Sequence, residues 1–327
     1  MRRHFCLALA IAAAVLGLAP SAAMAQAWPE RPVRLVIPWP PGGANDILGR
    51  TIADRLGARL GQPVVADNRG GSNGVLGADQ VAKARPDGYT IMFHSVASHV
   101  TNPAMIARMP YDTMGDFTPV SVVADVALVI VVNPREPMRT LADLVARAKA
   151  APGALSFASF GNGSPGHLAG ALFNQRLGLE MQHIPYRGGA AALTDVIAGS
   201  VPVYFASLAT VTEAIASGSV RALAVTGATR APGLPDVPTV AETPGLAGYD
   251  MAVSYGLWAP RGTPEAIVNR LFEATRAVMQ EPAVVERFRS QGAQDIAARS
   301  PTESARLIEA QAATWGRTAR EARATVE

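Results

Sequence analysis

At 327 residues, 49% apolar and 17% charged, the chain has a globular composition with room for two domains and a sizeable core. Its formal net charge of +3 drops to 27 basic against 26 acidic residues once Arg2 and Arg3 are set aside, so the isoelectric point near 9.3 is no nucleic-acid footprint. The single cysteine, Cys6, excludes disulfides and cysteine metal sites from any chain that begins after it.

Residues 1–25 read as a secretory signal. Arg2 and Arg3 form the positive n-region rather than a twin-arginine signal. Leu7–Leu18 is the apolar core, too short to span a bilayer, and Ala23-Met24-Ala25 is a cleavage site. The mature protein is expected to start at Gln26 and to be periplasmic. Cys6 follows Arg3-His4-Phe5 rather than small apolar residues, which argues against a lipid anchor.

Val33–Ile37 is β-branched and apolar, hence a buried strand. Pro38-Trp39-Pro40-Pro41-Gly42-Gly43 then stops any regular element. Ile47, Leu48, Ile52, Leu56 and Leu60 recur at helical spacing, with Asn45 or Asp46 as the expected cap. A strand, a glycine turn and a helix start together offer close backbone approach and unpaired N–H groups, a ready anion site. Trp39 would form an apolar wall beside it. Residues 62–66 are a short strand, 67–74 a loop, 75–84 a helix and 89–93 a strand. The segment 94–99 closes that strand with polar groups, Ser95 and Ser98 among them. Strands alternating with helices imply a parallel sheet whose ligands sit beyond the strands' carboxyl ends, where 38–46 and 94–99 both fall.

The apolar run 120–132 looks like a crossing into a second domain. There, the strand 155–160, the loop 161–166 and the helix 167–177 repeat the first device. The strand 181–185, the loop 186–190 and the helix 191–198 repeat it again, and strands follow at 201–205 and 221–226. Residues 228–249 read as connection and 254–259 as a last strand. Helices are expected over 264–279, 282–291 and 301–323.

Gly161-x-Gly163-x-x-Gly166 fits the dinucleotide fingerprint, but the next strand ends Pro185-Tyr186-Arg187 without the acidic residue that would hold a ribose. The same geometry suits a smaller anion, with Ser164 and His167 as added donors and Arg187 as a carboxylate partner. Gly70-x-Ser72-x-Gly74 fits a hydrolase nucleophile pattern. A polar loop parts it from its strand and no His-Gly-Gly segment is present, so a secreted serine hydrolase using Ser72 is the disfavoured alternative. The five histidines have no metal-ligand spacing, and no cofactor or metal is expected.

The ordered series Trp28-Pro29-Glu30-Arg31-Pro32, Pro38–Asp46, Asp67-Asn68-Arg69, Pro86–Thr90, Gly161–Leu168, Pro185–Gly189, Leu223–Thr226 and Pro235–Glu242 resembles the Bug-type receptors. These are the extracytoplasmic solute-binding proteins of tripartite tricarboxylate transporters. The resemblance covers residues 28–320. It implies an α/β, two-lobed periplasmic-binding-protein fold of type II, each lobe a mainly parallel sheet flanked by helices, with the ligand cleft between lobes. Residues 26–124 plus 253–327 would form lobe 1, and 125–252 lobe 2. It further implies a small organic acid as ligand and the membrane subunits of a tripartite permease as partners, with a monomeric, non-enzymatic receptor. A ligand sensor without a permease is the runner-up. Gly42, Gly43 and Ala44 match its first binding loop, and Asp46 a position facing the outer part of the ligand. Ser164, His167, Tyr186, Gly188 and Gly189 match the second-lobe positions. Two residues depart from the pattern. Ala191 stands where proline is common, and Ala206-Ser207 follows Phe205 where aspartate is common. Losing that carboxylate suits a more apolar or aromatic acid.

Overall fold

The computed structural model describes residues 28–322; the expected signal segment with its expected cleavage site, Cys6 and Arg323 lie outside that range. The first sheet takes β1 (Val33–Ile37), β2 (Val64–Asn68), β3 (Thr90–Ser95) and β4 (Phe117–Val126). The second takes β5 (Leu128–Val132), β6 (Ser156–Ser159), β7 (Gln182–Pro185), β8 (Val203–Ser207) and β9 (Arg221–Val225). The chain then returns to the first sheet with β10 (Val253–Pro260) and β11 (Ala293–Ile296). In space the orders are β11-β4-β10-β3-β1-β2 and β7-β6-β8-β5-β9.

Strand direction is mainly parallel, as expected, but the pairings are mixed. β1 is parallel to β2 and β3, while β10 lies antiparallel between β3 and β4. β6 is parallel to β7 and β8, while β5 lies antiparallel between β8 and β9. β11 is antiparallel to β4 as well, and of these three reversed strands β5 and β10 each follow a passage between the sheets. The apolar run 120–132 is two strands, because the chain changes sheets at Ala127. β5 and β10 are buried at every position, which explains the unbroken apolar sequence of β5 and leaves Ser254 as the one polar side chain besides Tyr255 in β10.

The first sheet carries α1 (Ala44–Leu60) and α2 (Val75–Ala82), both legible in the sequence, and, after β3, the unforeseen α3 (Val96–Met105). The second sheet carries α4 (Leu141–Ala150), α5 (Pro165–Leu177), α6 (Gly189–Ala198) and a second unforeseen helix, α7 (Leu208–Ala216). The chain closes with α8 (Glu265–Met279), α9 (Pro282–Ser290) and α10 (Pro301–Glu321). The 94–99 segment is therefore the end of β3 and the start of a helix, not a loop. β11 was also unforeseen; Ala293-Gln294-Asp295-Ile296 is too short and polar to stand out as an edge strand.

Candidate functional site

Three helix starts converge where the two sheets face each other. The first is α1. Gly42 takes φ +82°, a left-handed value that suits glycine, and turns the chain out of the proline segment. Gly43 is the N-cap; neither Asn45 nor Asp46 caps, which corrects the sequence expectation. Asp46 instead turns inward. Its Oδ2 accepts from Gly42 N at 2.9 Å, and its Oδ1 accepts from Arg50 Nε at 2.8 Å and Asn68 Nδ2 at 2.9 Å. Asn68 Nδ2 also donates to the Trp39 carbonyl at 2.9 Å. Asp46 and the Gly42 N–H thus shape the loop from behind rather than face a ligand. The amides of Gly43, Ala44 and Asn45 remain at the helix head, where no intrahelical acceptor exists.

The second start is α6, whose N-cap is Gly188 at φ +110°. Gly188 N is spent on the Phe160 carbonyl at 3.2 Å, which leaves Gly189 and the next amides pointing forward. The third is α7, capped by Ser207 without a side-chain capping bond. A Cβ built on Gly42 would lie 3.3 Å from Ala190 Cβ, and one on Gly43 4.0 Å from Gly189 N. Loops 42–44 and 186–190 therefore close on each other.

Between the three starts lies a cavity of about 310 Å³ of atom-free space. It is narrow, and the close approach of loops 42–44 and 186–190 leaves the cleft nearly shut. Of the expected residues, Trp39, Gly43, Ala44, Gly188, Gly189 and Ser207 line it. Asn45, Phe160, Thr210 and Tyr255 line it as well and were missed. None of the lining side chains carries a charge, so three helix dipoles of the same sign are the main fixed field, each worth about 0.3–2 kcal/mol to an anion. Asn45 Oδ1 is buried without a protein partner.

Trp39 lines both this cavity and the space beyond it. Its Nε1 donates to His94 Nδ1 at 3.2 Å, and its ring meets Phe160 edge-on at 6.0 Å. Beyond this pair opens an outer chamber of about 1430 Å³, lined by Asn68, Ser72, Asn73, Asn162, Tyr186 and Arg187 among others. Arg187 is the one charged side chain in that lining. It is exposed, and among the described residues it makes no ion pair or hydrogen bond. Tyr186 donates its hydroxyl to Asp195 Oδ2 at 2.7 Å.

Five expected residues stand behind the walls rather than in them. Ser164 caps α5 by accepting from His167 N at 3.3 Å. His167 Nδ1 accepts from Gly163 N at 3.0 Å, and its ring stacks on His183 at 3.7 Å. His183 Nε2 lies 2.7 Å from Ser159 Oγ. Burial holds His167 at about 4, and burial followed by the neighbouring His167 holds His183 at about 3, so both rings are neutral and brace the 161–166 loop. Ser95, Ser98 and Ala206 are buried and line neither chamber.

Ser72 has no histidine hydrogen-bonded to it among the described residues, and the nearby His94 already accepts from Trp39 through Nδ1. The Gly-x-Ser-x-Gly segment is a left-handed turn, with φ +47° at Ser72 and +51° at Asn73, not a strand-to-helix elbow. Among the described residues, no group of three His, Cys, Asp or Glu side chains is placed to hold a metal.

Two α/β lobes that meet over a cleft lined by opposed helix N-termini define a solute-binding protein of the periplasmic type. Residues 48–323 match the family described as tripartite tricarboxylate transporter family receptor, TctC, and the chain belongs to that family. It is 37% identical to the protein BugT of Bordetella pertussis over 298 residues, 91% of each chain. It is 39% identical over 308 residues, 93% of this chain and 91% of the other, to a UPF0065 protein from the tcbD-tcbE intergenic region of Pseudomonas sp. strain P51. Among solved structures, R. palustris Rpa4515 with adipate superposes with a TM-score of 0.87 at 38% identity, covering 91% of this chain and 99% of that one. MatC from Rhodopseudomonas palustris with bound malate gives 0.83 at 29% identity, over 89% and 99%.

Proposed function

We propose that this chain is a periplasmic receptor that closes on a small organic dicarboxylate and delivers it, without chemical change, to the membrane subunits of a tripartite transporter. The observation that carries this reading is the meeting of Gly43 and Ala44 from one lobe with Gly188, Gly189 and Ser207 from the other around one uncharged cavity. One carboxylate there takes hydrogen bonds from amides of both lobes, each charge-assisted bond worth about 1.5–3 kcal/mol. An affinity near micromolar, about −8 kcal/mol, needs only a few of them. Because the ligand touches both lobes at once, it favours the closed form, and entry requires the nearly shut cleft to open.

The body of the acid passes the Trp39–Phe160 pair into the outer chamber, where Arg187 receives the second carboxylate. The adipate and malate found in two relatives are both dicarboxylates, in keeping with this two-ended site. Signal cleavage after Ala25 delivers the receptor to the periplasm as a monomer, with lobes dividing near residues 125 and 252.

Titration calorimetry with adipate and hexanoate, which differ by one carboxylate, tests the assignment. Wild type is expected to bind adipate one-to-one without consuming it. Arg187→Ala should weaken adipate about tenfold, a loss of ~1.4 kcal/mol, and leave hexanoate unchanged. Ser72→Ala should alter neither acid. Equal losses for both acids would remove Arg187 from the second-carboxylate role, and hydrolysis of an ester probe that vanishes in Ser72→Ala would restore the hydrolase alternative.

A further inference from the structure

The Gly70–Gly74 turn contributes only wall to the outer chamber in the reading above, yet it holds two non-glycine residues in the left-handed region, Ser72 at φ +47° and Asn73 at φ +51°. Such strain persists where the surroundings enforce it, and it clusters at clamps and switches. The Asn73 side chain is the feature this strain positions. It is over nine-tenths buried and donates through Nδ2 to the Gly163 carbonyl at 3.2 Å. Asn73 belongs to the β2–α2 connection of the first lobe, and Gly163 to the β6–α5 loop of the second. The bond therefore crosses the cleft and exists only while the lobes are together.

Both ends are set in advance. On the first lobe, Asn73 Nδ2 also donates to Asn102 Oδ1 at 2.8 Å, and Asn102 Nδ2 returns a bond to the Asn73 carbonyl at 3.3 Å. This reciprocal pair fixes the amide whether or not the second lobe is present. On the other side, Gly163 N is tied to His167 Nδ1 at 3.0 Å, with His167 stacked on His183. Little side-chain freedom is lost when the contact forms, so most of its strength goes to closure.

We propose that Asn73 is a latch between the lobes: a positioning residue that sets how long the closed receptor keeps its acid, not which acid it takes. The inference rests on the receptor reading. A bond made only in the closed form lowers the free energy of that form and no other. Removing it speeds opening and leaves capture by the open form unchanged.

The chain's only cysteine precedes the proposed mature start, so paired labels can be placed at Val65→Cys and Ile197→Cys, both exposed and on different lobes. Pulsed electron–electron distance measurement then reads closure, with and without adipate, in three backgrounds: wild type, Asn73→Gly and Asn73→Asp. Glycine accepts the left-handed angle and deletes the donor. Aspartate keeps the shape and sets an acceptor against the Gly163 carbonyl. Stopped-flow release of adipate should be about three- to tenfold faster in Asn73→Gly and faster still in Asn73→Asp, with association within about twofold of wild type. The closed fraction should fall in the same order. The melting temperature of the ligand-free chain falls modestly in Asn73→Gly, because the buried Asn102 Oδ1 loses its donor, so release and closure rather than melting decide the latch. Unchanged release and unchanged closed fractions in both variants overturn the latch. So does a fall in ligand-free melting temperature in Asn73→Gly with unchanged release, which would make Asn73 a merely structural residue. If adipate fails to shorten the wild-type distance, the dicarboxylate reading fails, and the ligand-free closed fractions of the three chains still decide the latch.

Discussion

Gly43→Asp is expected to abolish acid binding while leaving the fold intact or slightly more stable. Gly43 sits at φ −91° and ψ 170°, an extended conformation that aspartate adopts without strain. A Cβ there finds its nearest neighbours, Gly189 N and the Pro40 carbonyl, at 4.0 Å, an ordinary contact. The new carboxylate would stand at the head of α1 and reach toward the α6 amides, which is where the ligand's own carboxylate has to go. Aspartate at an N-cap is itself favourable, by about 0.5–2 kcal/mol relative to alanine and a few tenths relative to glycine. The receptor is thus occupied by its own side chain. Losing two or more charge-assisted bonds and gaining a like charge costs an incoming acid at least ~3 kcal/mol, more than a hundredfold in Kd. Calorimetry against adipate and a urea melt of the same preparation check both halves. A variant that binds like wild type would remove the α1 head from the site.

The second large effect is an acid sensitivity that begins above the range where carboxylates titrate. Burial holds His94 well below its usual value, with the neighbouring His99 adding to the effect. Burial lowers His99 to about 4, partly offset by its bond to the Thr113 carbonyl. His167 and His183 lie at about 4 and about 3 for the reasons given above. In the unfolded chain each titrates near 6.5. The native state therefore binds fewer protons than the unfolded state between these values, and unfolding free energy falls as pH falls. The stabilisation is complete above about pH 6.5 and is lost progressively as pH approaches 4. His167 alone accounts for roughly 3 kcal/mol over that interval. Urea midpoints should drop steadily from pH 6.5 to 4.5, and replacing His167 and His183 together with glutamine should flatten that slope. A midpoint constant from pH 7.5 to 5 would show that these rings are not buried as neutral groups.

How much of this was readable from residues alone differs from loop to loop. The first device was legible because a β-branched strand, a proline block, two glycines and a helical period stand side by side. The α6 loop was legible for the same reason. The α7 start was not. Leu208–Ala216 contains two threonines, a valine and an isoleucine, residues of middling helix preference, and its N-cap serine makes no side-chain cap. The family pattern singles out Ala206, where aspartate is common, whereas the adjacent Ser207 and, one turn on, Thr210 line the cavity. α3 was hidden in a similar way, by Pro103 near its end and by histidines and serines that read as a loop. Asp46 was legible as a charged residue at a helix start, but its orientation was not. Three donors from 42, 50 and 68 draw it inward, and only the fold brings them together. Tyr255 came from the far end of the chain, from a strand whose two faces the sequence could not tell apart because every position is buried.

The central claim is that bare backbone amides from opposite lobes hold one carboxylate. Amide proton–nitrogen spectra of the labelled protein, recorded during titration with adipate, test it most directly. The resonances of Gly43, Ala44 and Gly189 should move downfield together and saturate at one equivalent, as N–H groups do when they donate to an anion. Saturable binding of adipate that leaves these three amides where they were would contradict the account.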